Sequence, residues 1–394
     1  MDMINNVATK KFIAEHINDD ISVLALSANK YPDVDILYAI NQIKGKRSIQ
    51  HKIPSWYKNQ EIIFPVHLSV EQCSSEITAS FKSSLLQGET LVDLTGGFGV
   101  DTAFLSSNFK KVAYVERNAD LCQIAEHNFS VLGCSNIHVF NSDAVDYLNK
   151  MDNVDCIFID PARRSATGKK TVVFSDCEPN IVDLLPILLK KSKSILIKTS
   201  PMLDITKALS ELKNVNSVYV LSVENECKEL LFLLNERQNQ TEISCLNFLK
   251  NNLCQHFSFT NEEEQNSACL YTNVPGIYLY EPNTSILKAG AFKTLSSRFN
   301  LKKLHPNSHL YTSNILCADF PGRIFFIDAC FSFNNQQIKT HLSDIKKANI
   351  TVRNFPDTVE SLRKRLKLSD GGDVYLFATT LSDNKKVILN CHKV

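Results

Sequence analysis

The stretch LVDLTGGFGVDT, Leu91 to Thr102, reads as a short apolar strand that runs into three glycines and then into a helix starting near Val100. Gly96, Gly97 and Gly99 permit positive φ and let the backbone come close to a ligand. A glycine-rich turn between strand and helix often holds a dinucleotide pyrophosphate. This turn fits that use poorly. Counted from Gly97, the G-x-G-x-x-G pattern ends on Thr102 instead of glycine. Asp101 falls in the first helical turn, where its charge repels the anion that a helix N-terminus attracts. The G-x-x-x-x-G-K-[ST] phosphate loop is absent.

Outward from this turn, strand-like and helical runs alternate. LVDL, KVAYVE, NIHVF, VDCIFID and SILIKTS read as strands, separated by helical stretches such as NADLCQIAEHNFSVLG and NIVDLLPILLKK. Such alternation predicts an α/β fold with a parallel, Rossmann-like sheet and right-handed crossovers. NSVYVLSV and KELLFLLNE read as two more strands, antiparallel at one edge. Residues 1 to about 90 carry apolar residues at helical spacing and predict a helical N-terminal segment. Beyond about 240 the chain predicts a smaller α+β region. TNEEEQNSACLYTN reads as a loop or hairpin, TSILKAGAFKTLSSRF and DTVESLRKRLKL as helices, and DVYLFATT with KKVILNC as paired strands.

Ligands of open α/β sheets lie outside the carboxyl ends of the strands. Three acids stand there in succession: Asp93 in the turn, Glu116 closing the second strand and Asp143 after the third. S-adenosylmethionine (SAM) has no phosphates and carries a sulfonium and an ammonium, so Asp93 and Asp101 favour it. Glu116 is placed for the ribose hydroxyls, Asp143 for the adenine amine, and Ala144 for a backbone contact. Thr95, Gly96, Gly97, Gly99, Arg117 and Asp160 complete the expected cofactor set. The competing reading is a plain strand-to-helix turn, with Glu116 and Asp143 as helix caps or solvated acids. Gln72 or Ser75 in EQCSSEIT is a further candidate for the methionine end, against a capping role for Ser74 or Ser75.

The fourth strand ends in Asp160-Pro161-Ala162-Arg163-Arg164. Methyl transfer asks an enzyme chiefly to align an acceptor lone pair with the departing methyl. The carboxylate of Asp160 and the carbonyls of Pro161 and Ala162 suit acceptance of N–H bonds from an exocyclic amine, which favours its rehybridisation. Asp160, Pro161, Ala162 and Arg163 are therefore the expected catalytic residues. Arg163, Arg164 and Lys169 form a locally basic loop suited to phosphate or to stacking on a base.

The 394 residues hold 43 Lys+Arg against 42 Asp+Glu, a formal charge of +1. That excludes a chain basic throughout and leaves room for local basic patches. Hydrophobic content of 44% and charged content of 22% are ordinary globular values. Twelve cysteines without a C-x-x-C pair, several in apolar runs (Cys156, Cys317, Cys330), imply reduced, buried thiols rather than a disulfide framework or a metal site. The N-terminus has no signal-peptide pattern and no run is long enough to span a bilayer, so a soluble, cytoplasmic protein is expected. RSIQHKIPSWYK (47–58) interleaves bases with Trp56 and Tyr57, which suits single-stranded nucleic acid; Trp56 itself reads rather as a core anchor between helices. Arg363 and Arg365, in RKRLK (363–367), are candidate RNA contacts or a solvated helix face.

These residues resemble class I SAM-dependent methyltransferases, and more closely the bacterial group with a C-terminal THUMP-like domain. The resemblance rests on LSVEQCSSE (68–76), DLTGGFGVDT (93–102), IDPARR (159–164), DCEPN (176–180), KTSPMLDI (198–205), EPNTSILKAGAF (281–292), KLHPNSHLYTS (303–313) and RNFPDTVESLRKRLKLSDGGDVYLFATT (353–380). It implies a helical domain over 1–88, a methyltransferase domain over 89–240, a ferredoxin-like domain over 241–318 and a THUMP-like domain over 319–394. It also implies SAM as cofactor and tRNA or rRNA as partner. IDPARR is similar to the D/N-P-P-Y of base amino-methyltransferases, with Ala162 in place of the second proline and Arg163 in place of the aromatic. Methylation of a base nitrogen in RNA is the leading expectation. A protein or small-molecule acceptor, and a non-catalytic RNA-binding module with a vestigial SAM fold, remain open.

Overall fold

The computed structural model describes residues 6–65, 67–163, 173–235, 240–250 and 253–394, and side chains at 67–69 and 163 are not considered. The chain divides into one unit of residues 1–215 and 232–238 and a second of 216–231 and 239–394.

The first unit begins with helices α1 (Val7–Glu15), α2 (Ile21–Leu26), α3 (Ile36–Ile49), α4 (Pro54–Lys58), α5 (His67–Gln72) and α6 (Glu76–Leu85). Asn6, Asp20, Asp35 and Ser75 start α1, α2, α3 and α6 by accepting the free amides of the first turn. Then follow β1 (Thr90–Asp93), α7 (Val100–Ser106), β2 (Lys111–Glu116), α8 (Ala119–Val131), β3 (Ile137–Asn141), α9 (Ala144–Lys150) and β4 (Val154–Ile159). Two-residue strands β5 (Ala162–Arg163) and β6 (Cys177–Glu178) pair with each other before α10 (Ile181–Lys191), β7 (Ser192–Thr199) and α11 (Ile205–Glu211).

Strands run in the order β3-β2-β1-β4-β7, every neighbouring pair parallel. The expected α/β sheet is therefore present, with each helix where its periodicity predicts. The chain crosses from one side of β1 to the other between β3 and β4, so the loops after β1 and β4 flank the switch point where such sheets bind ligands.

The basic–aromatic segment 47–58 is structural. Trp56 is 2% exposed and meets Phe98 edge-on, with ring centroids 5.1 Å apart. It packs with Ile49, Ile53, Phe64 and Val100 in one apolar cluster. Arg47 donates to the carbonyls of Ile17 and Asp19, and Lys52 to those of Val70 and Glu71. These cations tie helices together, and the core reading of Trp56 holds. Phe98 belongs to the glycine turn, so the same cluster braces the turn from behind.

The second unit opens with β8 (Val215–Val223) and β9 (Glu226–Asn235), whose residues from Phe232 on belong to the first unit, and goes on with β10 (Glu242–Phe248) and β11 (Cys254–Thr260). β8 pairs in parallel with β10, which pairs antiparallel with β11, so β8 is not the edge that the sequence suggested. Next come α12 (Asn261–Asn266), β12 (Tyr278–Pro282), α13 (Thr284–Ala289), α14 (Phe292–Arg298), β13 (Lys302–Lys303) and β14 (Tyr311–Ser313). β15 (Gly322–Ser332), α15 (Asn335–Leu342), β16 (Asn349–Arg353), α16 (Val359–Leu366), β17 (Tyr375–Thr380) and β18 (Lys386–Lys393) complete it. The order β13-β14-β12-β15-β18-β17-β16 makes a seven-stranded sheet, with β16–β17 its parallel pair.

Two expectations are corrected here. The acidic run taken for a loop forms α12, capped by Thr260. The helix expected over 284–299 is two helices, because Gly290 adopts φ +83 and closes α13. All twelve cysteines are free; Cys156 is buried as expected, whereas Cys317 is half-buried and Cys330 exposed. Among the described residues no helix is long and apolar enough to cross a membrane.

Trp56→Ala removes a fully packed indole and is expected to lower unfolding free energy by about 3–5 kcal/mol. Urea denaturation followed by far-UV circular dichroism reads the change. A loss below about 1 kcal/mol would place Trp56 outside the core.

Candidate active site

β1 ends in Asp93, which is 1% exposed. Its Oδ1 accepts the Thr95 amide at 3.0 Å and its Oδ2 the Thr102 hydroxyl at 2.5 Å. One carboxylate thus clamps both arms of the glycine turn. Gly97 and Gly99 have φ of +56 and +83, a region L side chains rarely adopt. At Gly96 a Cβ would lie 2.1 Å from the Tyr114 ring, which is fully buried. Tyr114 also donates its hydroxyl to the Gly97 carbonyl at 2.6 Å. A Cβ on Gly97 would meet only the Thr95 carbonyl at 3.8 Å, so the turn presents bare backbone on that side.

Glu116, at the end of β2, accepts the Gly97 amide at 3.0 Å and the Asn118 amide at 2.8 Å. It fixes the turn while remaining half-exposed. Arg117 is paired with Glu178 at 2.9 Å on the surface. Asp143 caps α9, accepting from Val145 and Asp146, so the capping role anticipated as its alternative is realised. None of those bonds uses the amide of Ala144.

Asp160 follows β4, and its amide donates to the Thr95 hydroxyl at 2.6 Å. The turn after β1 and the turn after β4 are thereby joined through Thr95. Pro161 is buried, Ala162 is exposed, and the Ala162 and Arg163 backbones pair with β6. Arg164 and Lys169 lie outside the described residues, as does the Arg163 side chain.

The sequence reading overlooked three residues that complete this edge. Lys198, near the end of β7, is 8% exposed. Its ammonium lies 2.6 Å from Asp160 Oδ2, 3.1 Å from Asp101 Oδ2 and 3.2 Å from Ser74 Oγ. Lys82, on α6 and fully buried, sits 3.2 Å from Asp101 Oδ1 and donates to Ser74 Oγ at 3.1 Å. Ser74 donates to Asp101 Oδ2 at 2.7 Å. The result is a buried chain of alternating charge, Lys82–Asp101–Lys198–Asp160, with Ser74 as a shared hydroxyl. Lysines are seldom buried without a partner, so an anionic neighbour was foreseeable, but nothing in KTSPMLDI names Asp101 or Asp160 as that neighbour. Ser74 rather than Ser75 enters this network, since Ser75 caps α6.

The two acids of the turn respond oppositely to burial. Desolvation pushes Asp93 up to about 7 against its two hydrogen bonds. Asp101 is equally buried, but the ammoniums of Lys198 and Lys82 outweigh that penalty and hold it below the ordinary carboxylate range.

In the second unit, Arg363 is held by Asp370 at 2.6 Å and by the Ala348 carbonyl. Arg365 is exposed, with its guanidinium 4.2 Å from the Phe333 ring centroid.

Comparison with known proteins adds the family. The solved structure "Crystal structure of putative methyltransferase from Porphyromonas gingivalis W83" matches at 35% identity and a TM-score of 0.88, covering 98% of each chain. The chain belongs to this methyltransferase family. Residues 278–321 match a ferredoxin-like domain and residues 322–393 a THUMP domain-like model. This is the bacterial class I group with a THUMP-like end that the motifs resemble. "Uncharacterized RNA methyltransferase MMOB5020" of Mycoplasma mobile shares 29% identity over 159 residues, 39% of this chain and 42% of that protein. The chain thus spans about two fifths of that curated relative.

Asp93 makes stability depend on pH with a definite sign. The folded acid keeps its proton to about pH 7, whereas the unfolded one releases it near 3.8. Between those values the unfolded state binds fewer protons, so stability falls as pH rises and levels off above about 7. Three units at about 1.4 kcal/mol each put the whole effect near 4 kcal/mol. Asp93→Asn is expected to remove this decline. Urea midpoints from pH 4 to 8 measure it, and equal slopes in both proteins would overturn the assignment.

Proposed function

We propose that this protein transfers the methyl group of SAM to a nitrogen of a base in RNA. One observation carries the reading: Asp160, a third exposed, stands at the switch point, hydrogen-bonded through Thr95 to a glycine turn that offers bare backbone. Membership of a methyltransferase family and a THUMP-like end support it, as does the curated relative's name, which states RNA.

The residues present fit SAM. Gly97 leaves room for a ligand against the backbone, and Glu116 at the end of β2 stands beside it, whereas Asp101 is already paired with Lys82 and Lys198. Glu116 would hold the ribose with the lone pairs its two amide bonds leave, Asp143 and Ala144 the adenine, and the turn from Thr95 to Gly99 the methionine portion. When bound, SAM would supply a methyl on a sulfonium, an electrophile for the acceptor nitrogen's lone pair, with a neutral thioether as the leaving group and the nitrogen's proton passing to solvent. Asp160, with the carbonyls of Pro161 and Ala162, would orient that nitrogen by accepting its N–H bonds and would stabilise the positive charge it gains. Ala162 stands where the D/N-P-P-Y motif has its second proline. The exposed Lys364, Arg365 and Lys367 on and after α16 would contact phosphates; Arg363 already has its acid.

Asp160→Ala should abolish methyl transfer while SAM affinity, read by calorimetry, stays within about tenfold, a change of roughly 1.4 kcal/mol. Full turnover in that variant would remove Asp160 from the reaction. Mass spectrometry of tRNA and rRNA nucleosides from a deletion strain should reveal one missing methylated nucleoside; an unchanged profile would overturn RNA as substrate. Reversing charge at Lys364 and Arg365 should reduce the slope of log affinity against log salt by about one to two. An unchanged slope would take α16 out of the RNA interface.

A further inference from the structure

We propose that Lys198 is a positioning residue that fixes the polarity of Asp160, and that it thereby restricts the acceptor to a nitrogen that brings an N–H donor. The inference deepens the methyltransferase reading above and rests on it.

An ammonium has three donors and no acceptor. Around Lys198 stand three oxygens, of Ser74, Asp101 and Asp160, at 3.2, 3.1 and 2.6 Å. The side chain is buried, and leaving this position would take one of its two cations from the buried carboxylate of Asp101 and leave the Lys198 ammonium itself without compensation. Lys82 secures the far side of Asp101, so that acid cannot follow Lys198 away. Asp160 therefore meets a fixed cation, and its Oδ2 stays on that cation.

The other oxygen, Oδ1, has no partner among the described residues, and the side chain is 34% exposed. Oδ1 is the atom offered outward. An ionised carboxylate only accepts hydrogen bonds, so its partner on the substrate must donate. An exocyclic amine does so with its N–H, as does a ring nitrogen that carries a hydrogen, such as N1 of guanine; a ring nitrogen without a hydrogen cannot.

Asparagine at 160 would be the wrong polarity here although it is nearly isosteric. Next to an ammonium the amide must turn its carbonyl oxygen inward, which points the amide nitrogen, a donor, at the donor N–H of the substrate. Removal of the ammonium would free the amide to turn over and offer its oxygen outward.

The test uses the full-length protein, SAM, and total RNA from the deletion strain, with single-turnover methylation rates for wild type, Asp160→Asn, Lys198→Met and the double variant. Asp160→Asn is expected to lose about a hundredfold or more, the scale of a removed transition-state hydrogen bond. Lys198→Met combined with Asp160→Asn should regain at least about tenfold over Asp160→Asn alone, or roughly 1.4 kcal/mol of barrier. Lys198→Arg, which keeps both the charge and the demand for oxygen, should give no such rescue. A double variant no faster than Asp160→Asn would overturn the proposal. Thermal melts of the same four proteins read the pair without any substrate: the double variant should lose less stability than the sum of the singles, and additive losses would overturn the pairing. A wild type that methylates no RNA while the melts remain non-additive would overturn the RNA reading and leave the pairing standing.

Discussion

Every functional statement above depends on the Asp93 carboxylate. Buried at the end of β1, it takes an amide from one side of the glycine turn and a hydroxyl from the other. Thr95, oriented by that bond, then receives the amide of Asp160. The strand end that would carry the cofactor and the strand end that would carry the reaction are held in register by two hydrogen bonds and one acid. Packing backs the arrangement: Phe98 is clamped by Trp56, and Gly96 leaves the only room that the Tyr114 ring allows. The interaction is local, yet it fixes the distance between two loops separated by 65 residues of sequence.

Around this clamp the unit buries three formal charges in a row, Lys82, Asp101 and Lys198, which lead to the part-exposed Asp160. Such a chain is costly to desolvate and gains little over apolar packing, so its value lies in direction rather than in stability. Each ammonium sits between oxygens, and each carboxylate has a cation on one side. The row is closed at Lys82, deep under α6, and ends at Asp160 with an oxygen that is still available.

The fold of the first unit was legible because parallel strands buried on both faces read as apolar runs, and because Asn118, Asp143 and Asn180 cap the helices that follow β2, β3 and β6. The turn was legible because three glycines within four residues have few other uses. The charge chain was not. It is assembled from α6, the segment before it, α7, β4 and β7, and no spacing along the chain encodes that meeting. The same limit hid β10 and β11, whose short alternating runs are flanked by polar residues, and it made the 47–58 bases look available when backbone carbonyls already held them. Glu116 and Asp143 show a subtler gap: their residue type fits both a cap and a ligand contact, and geometry shows both hold backbone amides already.

The buried thiols have a practical consequence. Cys156 lies in β4 of the first unit, where burial and the neighbouring Asp155 raise it to about 11. Cys391 lies in β18 of the second unit, and burial raises it well above an ordinary thiol. Neither is a ready thiolate at neutral pH, so alkylation of either has to wait for its strand to open. Each unit thus contains, without any engineering, a chemical reporter of its own local unfolding. Labelling rates resolved by peptide mass would give the opening free energy of each unit separately.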